Sequence, residues 1–438
     1  MKFKLGQDDF LLTKNQNVDV FCDFEQLVNA HMLILGKTGM GKTTRIRQIV
    51  SELKNLPNLR VHLFDVHGDL DLPGVSSVIF SESTDYGLNP FVVSPDPHFG
   101  GVRRSIQDFL SVVNGSHPIG ARQEAVIRAL LTDLFAANGF YVGKPDSWYL
   151  GETRSGYPKK FPTMDDACRY TAGKLKQLVI GGNTKSGKAL EELNKVTAKL
   201  FKTSKTYAQT GGKLDPDQLE KQMELRTKAL GLYKEYIENL DTGKELADFV
   251  QYDSKEVLKS VSDRFDNLKS SGIFKNNPPP FDDHNPVWRY NITALREDEK
   301  RLFVEFRLQE IFAKALSQGQ IDNSQGVIRH LIVVDEAHMF FRDTSDCILN
   351  TIAKEGRKFG LGLVCASQSP EHFSNDFFSN VATKIILGVD QMYWDFLTRR
   401  LKIEPKILSY IKAFHVIGVQ LSLKGDVSSR FKMVRVQQ

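Results

Sequence analysis

No apolar run in this chain approaches the roughly 18 residues needed to cross a bilayer, and the opening MKFKLGQDDF has no apolar core of signal-peptide length. The expectation is a cytoplasmic protein with no direct insertion into a membrane. Cysteine is scarce: Cys22, Cys168, Cys347 and Cys365 lie far apart with no C-x-x-C pair, which excludes a disulfide framework and a thiolate zinc site and fits a reducing compartment. Charge of one sign is in short supply too. A net +5 over 438 residues is mildly basic, compatible with an acidic partner such as nucleic acid but too small to require one. With 41% hydrophobic and 25% charged residues, the chain is long and apolar enough for a large globular core.

What the chain does have is HMLILGKTGMGKTTRIRQIV, residues 31–50. A short apolar strand runs into Gly36-Lys37-Thr38-Gly39-Met40-Gly41-Lys42-Thr43, and a helical pattern follows, which is the context that gives a G-x-x-x-x-G-K-[ST] phosphate loop its meaning. Glycines let the backbone curl so that its N–H groups converge on phosphate oxygens at a positively polarised helix N-terminus. The residues assigned to ATP are Gly36, Thr38, Gly39, Met40, Gly41, Lys42, Thr43 and Thr44. Lys42 reaches the β- and γ-phosphates, and Thr43 offers its hydroxyl to Mg²⁺.

The remaining pattern is that of an α/β protein. Strand-like pieces Lys2–Leu5 and Val18–Cys22 precede the strand His31–Leu35; a helix over Thr43–Leu53 is followed by a strand Arg60–Asp65 and a short strand Ser77–Phe80. Asp65 ends its strand at the edge where ligands of open α/β sheets gather, so it is expected to face the nucleotide. From residue 102 the pattern turns helical, at Ser105–Val113, Ala121–Ala137, Ala189–Phe201 and Asp217–Leu240. Between Lys159 and Lys213 twelve Lys or Arg stand against four Asp or Glu, either a solvated helical surface or a face for a phosphate backbone. Gly182-Asn183-Thr184-Lys185-Ser186-Gly187-Lys188 imitates a second phosphate loop, but Ala189 replaces the magnesium-binding hydroxyl, and the segment is rejected as a site. Asn276-Asn277-Pro278-Pro279-Pro280 is a stiff connector leading back to the core strand Val287–Ile292 and an amphipathic helix Glu297–Ser317.

The second informative stretch is a buried-strand run, His330–Val334, ending in Asp335-Glu336-Ala337-His338. Asp335 is suited to hold Mg²⁺ directly or through water, and Glu336 to orient and deprotonate the attacking water. Asp335 lies 293 residues beyond Lys42, far more than in DEAH-box helicases, and the arginine-rich final motif of those enzymes is missing. After AKEGRKFG comes a strand Leu361–Ala366, then Ser367-Gln368-Ser369-Pro370. Gln368 at the strand end is placed to sense the γ-phosphate or hold the attacking water. Arg357 precedes the strand, on the far side from its own subunit's nucleotide, where an arginine given to a neighbour's ATP belongs.

The phosphate loop, LFDVHGD, LNPF, LIVVDEAH, AKEGRKFGLGLVCASQSP and NVATKIILG together resemble the HerA/FtsK superfamily of DNA-pumping ATPases, the HerA branch most of all. The resemblance covers about residues 28–95 and 285–420. It implies a RecA-like P-loop core with a central, mostly parallel sheet, with Lys42, Thr43, Asp65, Asp335, Glu336 and Gln368 around ATP and Mg²⁺, and Arg357 acting in trans. It further implies a ring, usually of six copies, with double-stranded DNA in its pore, and a nuclease or other effector as partner in DNA processing or phage defence. The chain departs from the family at Ser369, where an arginine is common, and has about 30 residues where HerA proteins carry a β-barrel. The expected organisation is an N-terminal strand-like segment (1–27), a first core part (28–101), a mostly helical insertion (102–284) and a second core part (285–438). Two other functions fit the same motifs: a conjugative or type IV secretion ATPase, and a nucleotide-gated ring scaffold that activates an effector.

Overall fold

The computed structural model describes residues 2–152, 156, 158–180, 188–189, 192–201, 216–239, 255–322, 327–342, 347–426 and 428–436. The rejected second loop falls almost wholly outside these residues, as do parts of the expected helices Ala189–Phe201 and Asp217–Leu240.

The chain divides into two compact units, one of residues 1–118, 143–149 and 271–438, the other of 119–142 and 150–270. The first is built on a sheet that has eleven strands among the described residues: β1 (Lys2–Asp8), β2 (Asp19–Asp23), β3 (Met32–Leu35), β4 (Arg60–Asp65), β5 (Ser76–Ile79), β6 (Val287–Asn291), β7 (His330–Val334), β8 (Leu361–Ser367), β9 (Thr383–Ile386), β10 (Val416–Leu421) and β11 (Lys432–Arg435). Their order is β2-β1-β11-β10-β9-β3-β8-β7-β4-β6-β5. From β9 to β5 every pairing is parallel, and from β9 out to β2 every pairing is antiparallel. The residues of β3, β7 and β8 are all buried, because a parallel strand is covered on both faces and reads as a continuous apolar run. One face packs Met32, Ile34, Leu63, Val333 and Val364 against Ile46, Ile49, Val50 and Leu53 of the helix Lys42–Leu53. The other carries an aromatic layer in which Phe64 stacks on Tyr290 at 4.7 Å and Phe80 meets Phe303 of the helix Glu297–Ser317 at 4.4 Å.

Three boundaries differ from the expectation. The N-terminal pieces are not a separate segment, since β1 and β2 extend the central sheet. The expected insertion begins at 102, but the helix Val102–Ser116 belongs to the core unit: it buries Val102, Ile106, Phe109, Leu110 and Val113, with Phe109 against Phe91 and Phe306. Return to the core comes at residue 271, ahead of the proline run, where Leu88 bridges Phe274 and Tyr86 bridges Asn277. The second unit is helical in its described residues. Ala121–Ala137, Met164–Ile180 and Lys255–Ser270 pack on one another, tied by Gln123 donating to Ser260 and by the Lys269–Asp165 pair at 2.7 Å.

Within the sheet, Tyr290 Oη lies 3.0 Å from His62 Nδ1, His62 Nε2 lies 3.2 Å from His330 Nδ1, and His330 Nε2 lies 3.2 Å from Gln318 Oε1. Two neutral rings complete this chain when each donates from Nε2 and Tyr290 donates to His62 Nδ1. Burial holds both below the usual histidine value, His330 at about 4. His31 is also at about 4, through burial and then the nearby Arg357 charge, and neither of its ring nitrogens has a hydrogen-bond partner among the described residues. A histidine neutral when folded but protonated when unfolded leaves stability intact above about pH 6.5 and removes it as pH falls toward 4. His31→Leu is therefore expected to melt no lower than the parent at pH 7.5 and distinctly higher at pH 5, where the buried ring costs on the order of 1–2 kcal/mol. Comparing the two proteins cancels the opposite contribution of Asp108 and Asp335, whose carboxyls burial raises.

Candidate nucleotide-hydrolysis site

The register of three strands assembles the site. Leu35 of β3 lies opposite Ser367 of β8, and Val334 of β7 opposite Cys365, so the segments that follow all leave the sheet at one edge. From β3 comes the phosphate loop. Gly39 (φ 81°) and Gly41 (φ 91°) hold left-handed conformations that side chains resist, and Gly36 N–H donates to Ser367 O while Lys37 N–H donates to Gly388 O. The helix Lys42–Leu53 starts where the loop ends. Lys42 is 8% exposed, its Nζ 3.5 Å from Glu336 Oε1. Thr38 Oγ1 donates to Gln368 Oε1 at 3.1 Å, so the loop, Gln368 at the end of β8 and Glu336 after β7 share one cleft. Thr44 is exposed on the first helical turn, and Met40 is half-buried against Gly388.

The acidic side is strained and short of positive charge. Glu336 has φ 46°, a left-handed backbone that few non-glycine residues adopt and one that recurs at reacting centres. Burial opposes its ionisation, but His338, with Nδ1 at 3.2 Å from Oε2, and Lys42 outweigh that and hold its carboxyl below the usual range. The His338 contact has ion-pair distance without hydrogen-bond alignment. Asp335 is pushed up to about 7, by burial first and then by Glu336 and Asp69. A carboxyl raised this way by its neighbours is a site that a cation would relieve. Among the described residues no set of three or more His, Cys, Asp or Glu forms a metal cage. Mg²⁺ keeps most of its waters and takes one or two protein oxygens plus phosphate, so the expected ligands Thr43 and Asp335 would be enough to hold it.

Asp65 is not where the sequence placed it. It is fully buried, and its oxygens accept Gly68 N–H (2.7 Å), Leu70 N–H (3.2 Å) and the Arg289 guanidinium (2.7 and 2.9 Å). With every lone pair directed inward, Asp65 shapes the turn that follows β4. The acid from this turn that faces the loop is Asp69, which accepts Thr43 Oγ1–H at 2.9 Å and whose carbonyl accepts from Arg47. Asp69 stood in view in the His-Gly-Asp turn, but no periodicity tells which acid of such a turn points outward. Arg289 was missed too; its signal was a lone cation inside the apolar strand β6. It reaches Asp65, Asp71 (2.9 Å), Ser77 (3.3 Å) and the Gly68 carbonyl (3.1 Å).

Arg357 lies in a turn, Gly356–Phe359, ahead of β8. The seven residues of β8 carry the chain roughly 20 Å from there to Gln368, so Arg357 is out of reach of a γ-phosphate bound in its own loop. It is half-buried beside a small cavity lined by Phe24, Asn29 and Ile328, and it forms no ion pair among the described residues.

Replacing Arg289 with Met leaves the Asp65 carboxylate buried without its cation and is expected to cost about 3–5 kcal/mol in urea unfolding. The double variant R289M/D65N should recover a large part of the loss, because Asn keeps an acceptor for Gly68 N–H and carries no charge.

Residues 10–100 match the family model described as "Helicase HerA, central domain". Among curated relatives, the DNA double-strand break repair helicase HerA of Saccharolobus solfataricus is 31% identical over 103 residues, 23% of this chain and 21% of that protein. A probable helicase of Methanocaldococcus jannaschii is 21% identical over 390 residues, 87% of this chain and 58% of the relative. The matches thus span less than two thirds of these relatives' own length. Of solved structures, VirB4 of Thermoanaerobacter pseudethanolicus superposes with a TM-score of 0.60 at 13% identity, covering 100% of this chain and 96% of that one. The plasmid coupling protein TrwB in complex with ADPNP gives 0.50 at 13% identity, covering 99% and 94%. Residues 10–100 are thus similar to the HerA helicase central domain, and the chain has the P-loop ATPase fold shared with VirB4 and TrwB.

Proposed function

We propose that this protein is a cytoplasmic, Mg²⁺-dependent ATPase that works as a homohexameric motor on double-stranded DNA. One observation carries the hydrolytic part: Lys42 lies 3.5 Å from Glu336 and Thr38 lies 3.1 Å from Gln368, although roughly 300 residues of chain separate the phosphate loop from the two strands that bring Glu336 and Gln368. Here Lys42 binds the phosphates, Glu336 takes a proton from the attacking water, and Gln368 orients that water or reads the γ-phosphate. Thr43 and Asp335 would hold Mg²⁺, which would supply neutralisation of the developing phosphate charge. Arg357, remote from its own loop, serves the nucleotide of an adjacent copy, so that binding and hydrolysis alternately make and break an interface contact. The HerA relatives, described as DNA double-strand break repair helicases, favour duplex DNA as the track; a nuclease or other effector as partner, in end processing or defence against phage, is what the family resemblance implies.

A second reading, a conjugative or type IV secretion ATPase, is favoured by the match to VirB4 along the whole chain. No helix among the described residues is long and apolar enough to cross a membrane. Stimulation of ATP turnover by linear duplex DNA, with displacement of a triplex-forming strand, supports the motor. ATP turnover indifferent to DNA overturns it in favour of a secretion motor or a ring scaffold.

Lys42→Ala and Glu336→Ala are expected to abolish ATP hydrolysis with melting temperature retained, the second while still binding ATP. Arg357→Ala is expected to lower turnover of the assembled protein by about 10³-fold or more. Adding an excess of Lys42→Ala subunits, which contribute an intact Arg357, should restore part of that activity in mixed rings; no rescue argues against action in trans.

A further inference from the structure

An aromatic ring without a structural explanation stands beside the phosphate loop. Phe414 occupies a tight turn in which Lys412 and Val416 exchange backbone hydrogen bonds of 3.0 Å and His415 N–H returns to Lys412 O. Its φ is 61°, a left-handed backbone that a bulky side chain adopts only at a cost. Yet the strain does not bury the ring, which remains 47% exposed. What the turn does is set the ring on Gly41: a Cβ built there would lie 2.9 Å from Phe414 Cε1 and 3.3 Å from Cδ1, so the aromatic edge rests on bare loop backbone.

Topology puts the turn at that edge. β10 begins at Val416 and pairs antiparallel to β9, with Gly418 opposite Ile386, and β9 leads to Gly388, whose carbonyl holds Lys37 N–H. The turn before β10 therefore hangs at the carboxyl edge of the parallel strands, next to the loop. A nucleotide whose phosphates fill the loop must carry its nucleoside just outside it, past the exposed Thr44 on the first turn of the helix. An open π-face, held in place at a conformational cost, is what a heteroaromatic base needs there.

The geometry points to Phe414 as the base-stacking residue of the nucleotide site, an inference that rests on the phosphate-loop reading above. A nucleoside triphosphate with its phosphates in the loop lays its base on the exposed face of the ring. Stacking scales with ring area, so the site prefers purines to pyrimidines and separates adenine from guanine only weakly.

The test compares ATP with inorganic tripolyphosphate, both in excess Mg²⁺, by calorimetric titration of the full chain. Phe414→Ala and Phe414→Gly are expected to weaken ATP about tenfold while tripolyphosphate binds unchanged, and Phe414→Tyr to keep both affinities. Phe414→Gly removes the left-handed strain, so it should melt no lower than the parent without ligand, which separates lost stacking from lost folding. Undiminished ATP affinity in Phe414→Ala, or an equal fall for both ligands, overturns the assignment. Lys42→Ala tells the two failures apart. If it loses both ligands while Phe414→Ala loses neither, only stacking falls; if it binds both as the parent does, the phosphate-loop reading falls and takes the stacking with it.

Discussion

β8 is hydrogen-bonded along both edges, to β3 on one side and β7 on the other; all three strands are parallel, β3 and β8 end level, and β7 ends two residues earlier. The chemistry hangs on that register. A phosphate loop, a glutamine and an acidic pair reach one cleft only because backbone ladders fix the height at which each segment leaves the sheet. Sliding β8 by two residues would keep its buried faces yet carry Gln368 about 7 Å from Thr38. Full burial on both faces leaves little apolar slack for such a slip, so the core also sets the site's precision.

Charge is arranged with a similar economy. The turn after β4 could have offered two acids to the cleft. It offers one, because the Arg289 guanidinium locks Asp65 inward and leaves Asp69 against Thr43. Asp335 is left partly uncompensated, its carboxyl raised by burial and by its acidic neighbours, while Glu336 is kept ionised by His338 and Lys42. Two adjacent carboxyls thus differ in affinity for protons, because Asp335 is buried among acids while Glu336 faces Lys42 and His338. Two of the non-glycine residues held at positive φ, Glu336 and Phe414, stand at the same rim, and the surrounding structure bears that strain.

Much of this could be read locally. The phosphate loop, the strand before it, the Asp-Glu pair after β7 and Gln368 after β8 each announce themselves within a dozen residues, because glycine-dependent turns and buried parallel strands leave short-range marks. The far placement of Arg357 also followed from its position before β8. The end strands were harder. β1 and β2 looked like a separate piece, since a strand carries no mark of its partner, and here the partner β11 lies more than 400 residues away. The helix Val102–Ser116 was read into the insertion for the same reason: its periodicity gives an apolar face but not the surface that covers it.

By itself, the sequence determined that a phosphate-binding P-loop core is present, which central strands and loops build it, and which residues are candidates for its chemistry. Those properties belong to residue type and to spacing along one turn or one strand. The tertiary structure alone decided which acid of the β4 turn faces the loop, that Arg289 holds the other away, and that Phe414 comes to rest on Gly41. Each joins groups hundreds of residues apart, or two acids equivalent in pattern, and only the packing of the whole sheet settles such a choice.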